Sequence, residues 1–127
     1  MRLALALVLA ALTQVACASA SVDELIGDAA CSSDAECRTV GVGALACGGP
    51  QAWRAWSIRR TTDEAALERA VQQQRQEREQ AIAKRGEMSI CRVVPDPGAH
   101  CAKPADAGAG RCVLRAAGAP GGGAAVR

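Results

Sequence analysis

Seven cysteines are the residues in this 127-residue chain whose type and spacing point most directly to chemistry. Cysteine thiols form disulfides, bind metal ions or act as nucleophiles, and the spacing between them helps to separate these uses. Six of them form two clusters of three, separated by forty-three residues, and the seventh, Cys17, lies near the N terminus. The six are Cys31, Cys37, Cys47, Cys91, Cys101 and Cys112.

The spacing of these six favours three structural disulfides over a metal or redox site. Structural zinc sites usually pair their ligands as C-x2-4-C and thiol redox sites use C-x-x-C, and neither spacing occurs here. Because each cluster holds three cysteines, at least one disulfide must join the two clusters. Fifteen pairings are open, and we favour Cys47–Cys91 and Cys37–Cys112, which leaves Cys31–Cys101. Closing the loop between Cys47 and Cys91 would contribute about 4 kcal/mol.

Residues 1–20 predict an export signal, which fits the oxidising compartment that disulfides need. Arg2 supplies the positive start, and residues 3–12 are an unbroken apolar run, too short to span a bilayer. Two cleavage sites remain open. In one, residues 18–20 form an A-x-A site and the mature chain begins at Ser21. In the other, cleavage precedes Cys17, which then carries a lipid.

We lean slightly to the lipoprotein, because a cysteine rarely follows a small residue in a leader by chance. Gln14 departs from that pattern, in which this position is usually apolar. Either interpretation removes Cys17 from the thiol pool and leaves an even number of cysteines. The protein is therefore expected in the periplasm or cell envelope, lipid-anchored through Cys17, or secreted.

No other residues form a convincing catalytic, cofactor or metal site. His100 is the only histidine and lies in a Gly/Pro-rich stretch, where an exposed loop residue is the simpler interpretation. Asp34 and Glu36 could approach a cation, but a solvated loop explains them better. The net charge of +2 is too small to indicate a nucleic acid as partner. We predict no enzyme activity and no cofactor.

The elements that must position the cysteines can be read from local patterns. A helix is predicted from Asp63 to Arg85, capped by Thr61 or Thr62 and stopped by Gly86, with a wet polar middle. Trp53 and Trp56 are three apart and would share a face on a helical turn, most simply as core. Strands are predicted at residues 38–42, 89–94 and 111–115. The last two would pair as a hairpin with Cys101 in its loop, and the first could add a third strand.

The chain resembles small cysteine-containing exported or lipoprotein families of bacteria whose activity is unknown. The residues that carry the resemblance are Cys31-x5-Cys37, Gly41-Val42-Gly43, Cys47-Gly48-Gly49-Pro50, the ring pair in residues 53–57, and Ser89-x-Cys91. The CGGP segment is the most specific of these, and the ring positions, here tryptophan, are often tyrosine in that pattern. The resemblance implies compartment and disulfides, but no known activity or site.

Together these patterns predict a small α+β domain at residues 21–115, with one central helix on a two- or three-stranded antiparallel sheet, followed by a disordered tail at 116–127. Only nineteen Val, Ile, Leu, Met and Trp residues follow Ser21, so the core is thin and needs cross-links. The expected function is a non-enzymatic exported envelope protein that binds an unknown protein or envelope component. The alternative is a small protease inhibitor that uses the loops at residues 31–37 or 95–101.

Overall fold

The computed structural model describes residues 19–106 and 108–117. It has the predicted α+β class, with one long helix, antiparallel sheets and three disulfides. Residues 1–18 of the predicted leader, which include Cys17, and residues 118–127 of the predicted tail lie outside the described residues. The elements in chain order are α1 (Val22–Ile26), β1 (Ala30–Cys31), a 3-10 turn (Asp34–Glu36), β2 (Cys37–Val42), β3 (Ala52–Ser57), α2 (Glu64–Arg85), β4 (Ala99–Ala102) and β5 (Gly110–Leu114).

The strands form two antiparallel sheets instead of one. In the three-stranded sheet β5 is central, with β1 on one edge and β4 on the other, and Cys101 lies opposite Cys112. The second sheet is the β2–β3 hairpin, in which Cys37 lies opposite Ser57. The loop of this hairpin contains the CGGP segment, so both glycines lie at its tip, with φ of 99° at Gly48 and 82° at Gly49.

The predicted strand at residues 89–94 is wrong. Residues 87–98 form neither helix, strand nor turn. Strand β5 is paired on both edges, by β1 and β4, so it has no edge left for residues 89–94. The hairpin partner of β5 is β4, which places Cys101 within a strand and not in the connecting loop. Residues 38–42 do form a strand, but it pairs with β3.

The predicted helical turn at Trp53 and Trp56 is also wrong, because both lie on strand β3. Side chains alternate along a strand, so residues three apart point to opposite faces. Trp56 enters the core and is 5% exposed, whereas Trp53 is half-buried at the surface of the hairpin. Trp53 lies over Gly41, where a Cβ would come within 2.9 Å of Pro50, so only glycine fits there.

Helix α2 matches its predicted extent but not its predicted cap. The side chain of Asp63, and not that of Thr61 or Thr62, accepts the Ala66 N–H at 2.8 Å. The Thr61 hydroxyl donates instead to the Leu25 carbonyl at 3.0 Å and so ties the start of α2 to α1. Gly86 ends the helix in the left-handed conformation, as predicted, because it has no Cβ to oppose a positive φ.

The core is small and two of the disulfides lie against it. Helix α2 contributes only Leu67 and Val71 to the core. The polar middle of the helix is exposed, as predicted. The Sγ atoms of Cys31, Cys37 and Cys101 lie within 4.8 Å of one another, so two cross-links stand side by side. The remaining buried apolar residues are Val22, Ile26, Ala29, Ala44, Trp56 and Cys112.

Candidate functional site

All six cysteines outside the leader are paired, as Cys31–Cys101, Cys37–Cys112 and Cys47–Cys91. This is the connectivity that the sequence analysis favoured. The Cα atoms of the three pairs are 6.0, 5.4 and 5.3 Å apart, within the range of ordinary disulfides. Cys31–Cys101 joins the two edge strands of the three-stranded sheet, and Cys37–Cys112 joins the two sheets to each other. The third has both of its cysteines exposed, so it fastens surface segments to each other.

The Cys47–Cys91 disulfide joins the tip of the β2–β3 hairpin to the connection between α2 and β4. We call residues 88–94 of that connection the anchored segment. It has no backbone pairing of its own, so side chains and cross-links must hold it.

The anchored segment is also held at its C-terminal end by the β2–β3 hairpin. The Trp53 indole Nε1 donates to the Val94 carbonyl oxygen at 2.9 Å, and the Thr39 hydroxyl donates to the Asp96 carboxylate at 2.6 Å. The Asp96 carboxylate also accepts the Gly98 N–H at 2.8 Å, which positions the chain where it enters β4. The half-buried Trp53 is therefore a positioning residue for this segment as well as part of the hairpin.

The N-terminal end of the anchored segment is held by an ion pair. Glu87 accepts two hydrogen bonds from the Arg78 guanidinium, at 3.2 and 2.7 Å, and lies 3.5 Å from Arg85. These contacts lower the pKa of Glu87, the hydrogen bond from Arg78 most of all, against the opposing effect of desolvation. Both partners of the closer pair keep about a third of their side-chain surface exposed. The segment is thus held before, within and after its length.

Between these anchors the side chains point to solvent. Met88 is 94% exposed, Ile90 is 83% exposed and Val93 is 87% exposed, and Arg92 is exposed as well. Arg92 forms no ion pair with any residue in the described ranges. Several exposed apolar side chains close together along a chain are typical of an interaction surface.

The other residues considered for chemistry have structural partners or no assembled site. The Asp34 carboxylate accepts the Cys101 N–H at 2.8 Å and lies 3.7 Å from the Arg115 guanidinium, and the Glu36 carboxylate accepts the Ser32 N–H at 2.6 Å. The two carboxylates therefore stabilise the loop at residues 31–37, and are not free to act as a pair of cation ligands. His100 lies on β4 and not in a loop, half-buried, and its Nδ1 has no hydrogen-bond partner within the described part of the chain.

Sequence reasoning missed the anchored segment because its β-branched residues predict a strand. The signals that could have found it are the helix stop at Gly86 and the two prolines at 95 and 97, which bracket apolar residues that lack the alternation of a half-buried strand.

Comparison of the chain with protein-family models, curated proteins and solved structures found no match. Among residues 19–106 and 108–117, no helix combines the length and the apolar character needed to cross a bilayer.

Proposed function

We propose that this protein is a non-enzymatic, exported binding protein of the cell envelope, and that it presents the anchored segment to a protein partner. The observation that carries the proposal is the exposure of Met88, Ile90 and Val93 on a segment that is fastened at three points. A flexible loop with the same residues could collapse onto the domain, whereas a fastened one keeps them available to a partner.

The cost of this exposure supports the proposal. Burying a large apolar side chain stabilises a domain by about 1.5–3 kcal/mol, and only nineteen such side chains follow Ser21. Because three of them stay in water, the small core does not gain the free energy that their burial would contribute. A partner that covers them would recover that free energy on binding.

The chemistry of the remaining residues supports a role without catalysis. The six cysteines are bonded to one another, so none offers a thiolate nucleophile. The carboxylates of Asp34 and Glu36 are engaged by backbone N–H groups. The disulfides also agree with export to an oxidising compartment.

Attachment to the membrane through Cys17 is part of the proposal. Ser21, the cap of α1, is only four positions after Cys17, a distance of at most about 14 Å in an extended chain. A lipid on Cys17 would therefore hold the domain directly at the membrane surface. Intact mass of the exported protein tests this: a diacylglyceryl adduct on Cys17 supports the anchor, and a chain that begins at Ser21 removes it.

Site-specific photo-crosslinking tests the binding role. A photo-reactive residue at Met88 is expected to give one discrete protein adduct in intact cells, and the same residue at the exposed Gln76 of α2 is not. Ile90→Ser should reduce the Met88 adduct about tenfold, because an apolar anchor is lost, while Ile58→Ser, at an exposed apolar position outside the segment, should not. Equal adducts at both positions would count against the proposal.

The second function proposed from the sequence, protease inhibition, gains support from the same segment and not from the loops first considered. The loop at residues 31–37 is closed on itself by the Glu36 carboxylate and tied to β4 by that of Asp34, and residues 99–101 belong to β4. The exposed, fastened and irregular part of the chain is residues 88–94.

A further inference from the structure

One peptide bond of the anchored segment is held on both sides. The bond between Arg92 and Val93 follows Cys91, which is cross-linked to Cys47, and precedes Val94, whose carbonyl accepts the Trp53 indole N–H at 2.9 Å. Its two flanking side chains, those of Arg92 and Val93, are exposed. No other bond in the segment has a covalent anchor immediately before it and a hydrogen-bonded anchor immediately after it.

The backbone around this bond is also restricted by sequence. Residues 87–98 have no helical or turn conformation, and a residue that precedes proline, here Val94, is confined to the extended region. Pro95 and Pro97 limit the chain that follows. A segment whose backbone is already restricted in this way loses less conformational entropy when a partner takes it up as a strand.

The exposed Arg92 indicates what kind of partner fits. An arginine with no ion pair in the described ranges carries five N–H donors in a planar fork, which match a carboxylate at the base of a pocket. Serine proteases that cleave after basic residues have such an acidic pocket, and they bind their substrates in extended form. The charge and the backbone conformation therefore indicate the same class of partner.

The geometry points to the anchored segment as the inhibitory loop of a serine-protease inhibitor, with Arg92 in the acidic specificity pocket and the Arg92–Val93 bond at the protease nucleophile. This inference rests on the proposed function, since it names the partner class for the same surface. The apolar side chains of Met88, Ile90 and Val93 then cover the protease surface on either side of the pocket.

The anchors explain why such a segment would inhibit and not simply be digested. Attack of the protease serine oxygen on the Arg92 carbonyl carbon forms an ester and breaks the bond to the Val93 nitrogen, which takes up the serine proton through the protease histidine. The new amine cannot leave, because residues 94–96 stay hydrogen-bonded to the hairpin while Cys91 stays cross-linked to it. Its high effective concentration favours the reverse attack, which restores the peptide bond and releases the serine.

Inhibition of trypsin by the exported, oxidised protein tests the inference. We expect trypsin to be inhibited at submicromolar concentration, and Arg92→Ala to raise the inhibition constant about 100-fold or more, as for an anchor residue in a charged pocket. Arg92→Leu should transfer inhibition from trypsin to chymotrypsin, whose pocket is apolar. The matched control is Arg111→Ala, since Arg111 is exposed on β5, outside the segment, and it should leave inhibition unchanged.

A second variant separates an inhibitor from a substrate. The pair Cys47→Ser with Cys91→Ser removes the covalent anchor while two disulfides remain, and it should be cleaved by trypsin to give a new N terminus at Val93, with loss of inhibition. The wild-type protein should stay largely intact under the same conditions, by mass spectrometry. Rapid, complete cleavage of wild type after Arg92 without inhibition would overturn the inference, as would equal inhibition by wild type and Arg92→Ala.

The two proposals can fail separately. The first case is that trypsin-like enzymes are not inhibited at micromolar concentration, while photo-crosslinking from Met88 still gives a discrete adduct that depends on Ile90. The protease is then the wrong partner, and the proposed binding function is retained. If Ile90-dependent binding is found only on vesicles of phosphatidylethanolamine and phosphatidylglycerol, the segment faces lipid and the inference is overturned. Arg92-dependent inhibition supports both proposals at once.

Discussion

The exposed disulfide offers the cleanest test of how this domain is stabilised. Replacing Cys47 and Cys91 by serine removes a cross-link with a sequence separation of 44 residues. Because both positions are exposed, the change creates little cavity and buries no new polar group. Almost all of its effect should come from the larger conformational freedom of the unfolded chain.

The magnitude follows from the connectivity. Taken alone, a loop of this length contributes about 4 kcal/mol. However, Cys31–Cys101 and Cys37–Cys112 both enclose these positions, and in the unfolded chain they provide a second, shorter route between them of about twenty-five residues. Two routes in parallel act as a loop of about sixteen residues, for which the same relation gives about 3 kcal/mol. The melting temperature of a domain of this size should then fall by about 12–24 °C.

Equilibrium unfolding in urea under non-reducing conditions measures this change. The denaturant dependence should also steepen, because a chain with one cross-link fewer exposes more surface when it unfolds. Ser89→Ala is the control, since Ser89 lies beside the disulfide with its Oγ 3.7 Å from the Cys47 sulfur, and it should shift stability by less than about 0.5 kcal/mol. A loss below about 1 kcal/mol in the double variant would refute the entropic reasoning.

Three further predictions follow from single contacts. Leu67→Ala, at a position 1% exposed, should lower the free energy of unfolding by about 3–5 kcal/mol through the cavity it leaves, measured in urea. Asp63→Ala should cost about 1 kcal/mol in the same assay, and Thr62→Ala less than about 0.5 kcal/mol, because Asp63 accepts the Ala66 N–H. Glu87→Gln should lower the melting temperature at neutral pH. That difference should shrink as the pH falls below the ordinary value of about 4.3, since the pKa of Glu87 is lowered in the folded state and its contribution is lost as the pH falls through the folded value.

Each of these has a result that would contradict it. A small loss of unfolding free energy for Leu67→Ala would mean that this side chain is not tightly packed in the core. A larger loss for Thr62→Ala than for Asp63→Ala would return the cap to the threonine that the sequence favoured. A Glu87→Gln difference that stays constant as the pH falls below about 4.3 would show that shape and packing, rather than the charge of Glu87, hold the segment.

Local rules predicted the parts of this protein that depend on neighbouring residues. Helix α2 ends at Arg85 with Gly86 in the left-handed conformation because glycine tolerates a positive φ. Its polar middle predicted exposure correctly, since no apolar stripe runs through it. The export signal, the even number of cysteines that remain once Cys17 is set aside, and the absence of metal-ligand spacings predicted disulfides, which need only the residue types and the compartment.

The tertiary structure decided the conformation of segments, and the role of side chains, whose local sequence allows more than one. Residues 89–94 have the composition of a strand, but β5 is paired on both edges and offers no place for them. Trp53 and Trp56 fit a helical turn by spacing, yet pairing with residues 38–42 makes them a strand and sends the two rings to opposite faces. Asp63 accepts the helix N–H in place of Thr61, whose hydroxyl is directed to the Leu25 carbonyl of α1. The anchored segment combines both levels: sequence supplies its exposed side chains, and only contacts distant along the chain, from Cys47, Trp53 and Thr39, hold it in place.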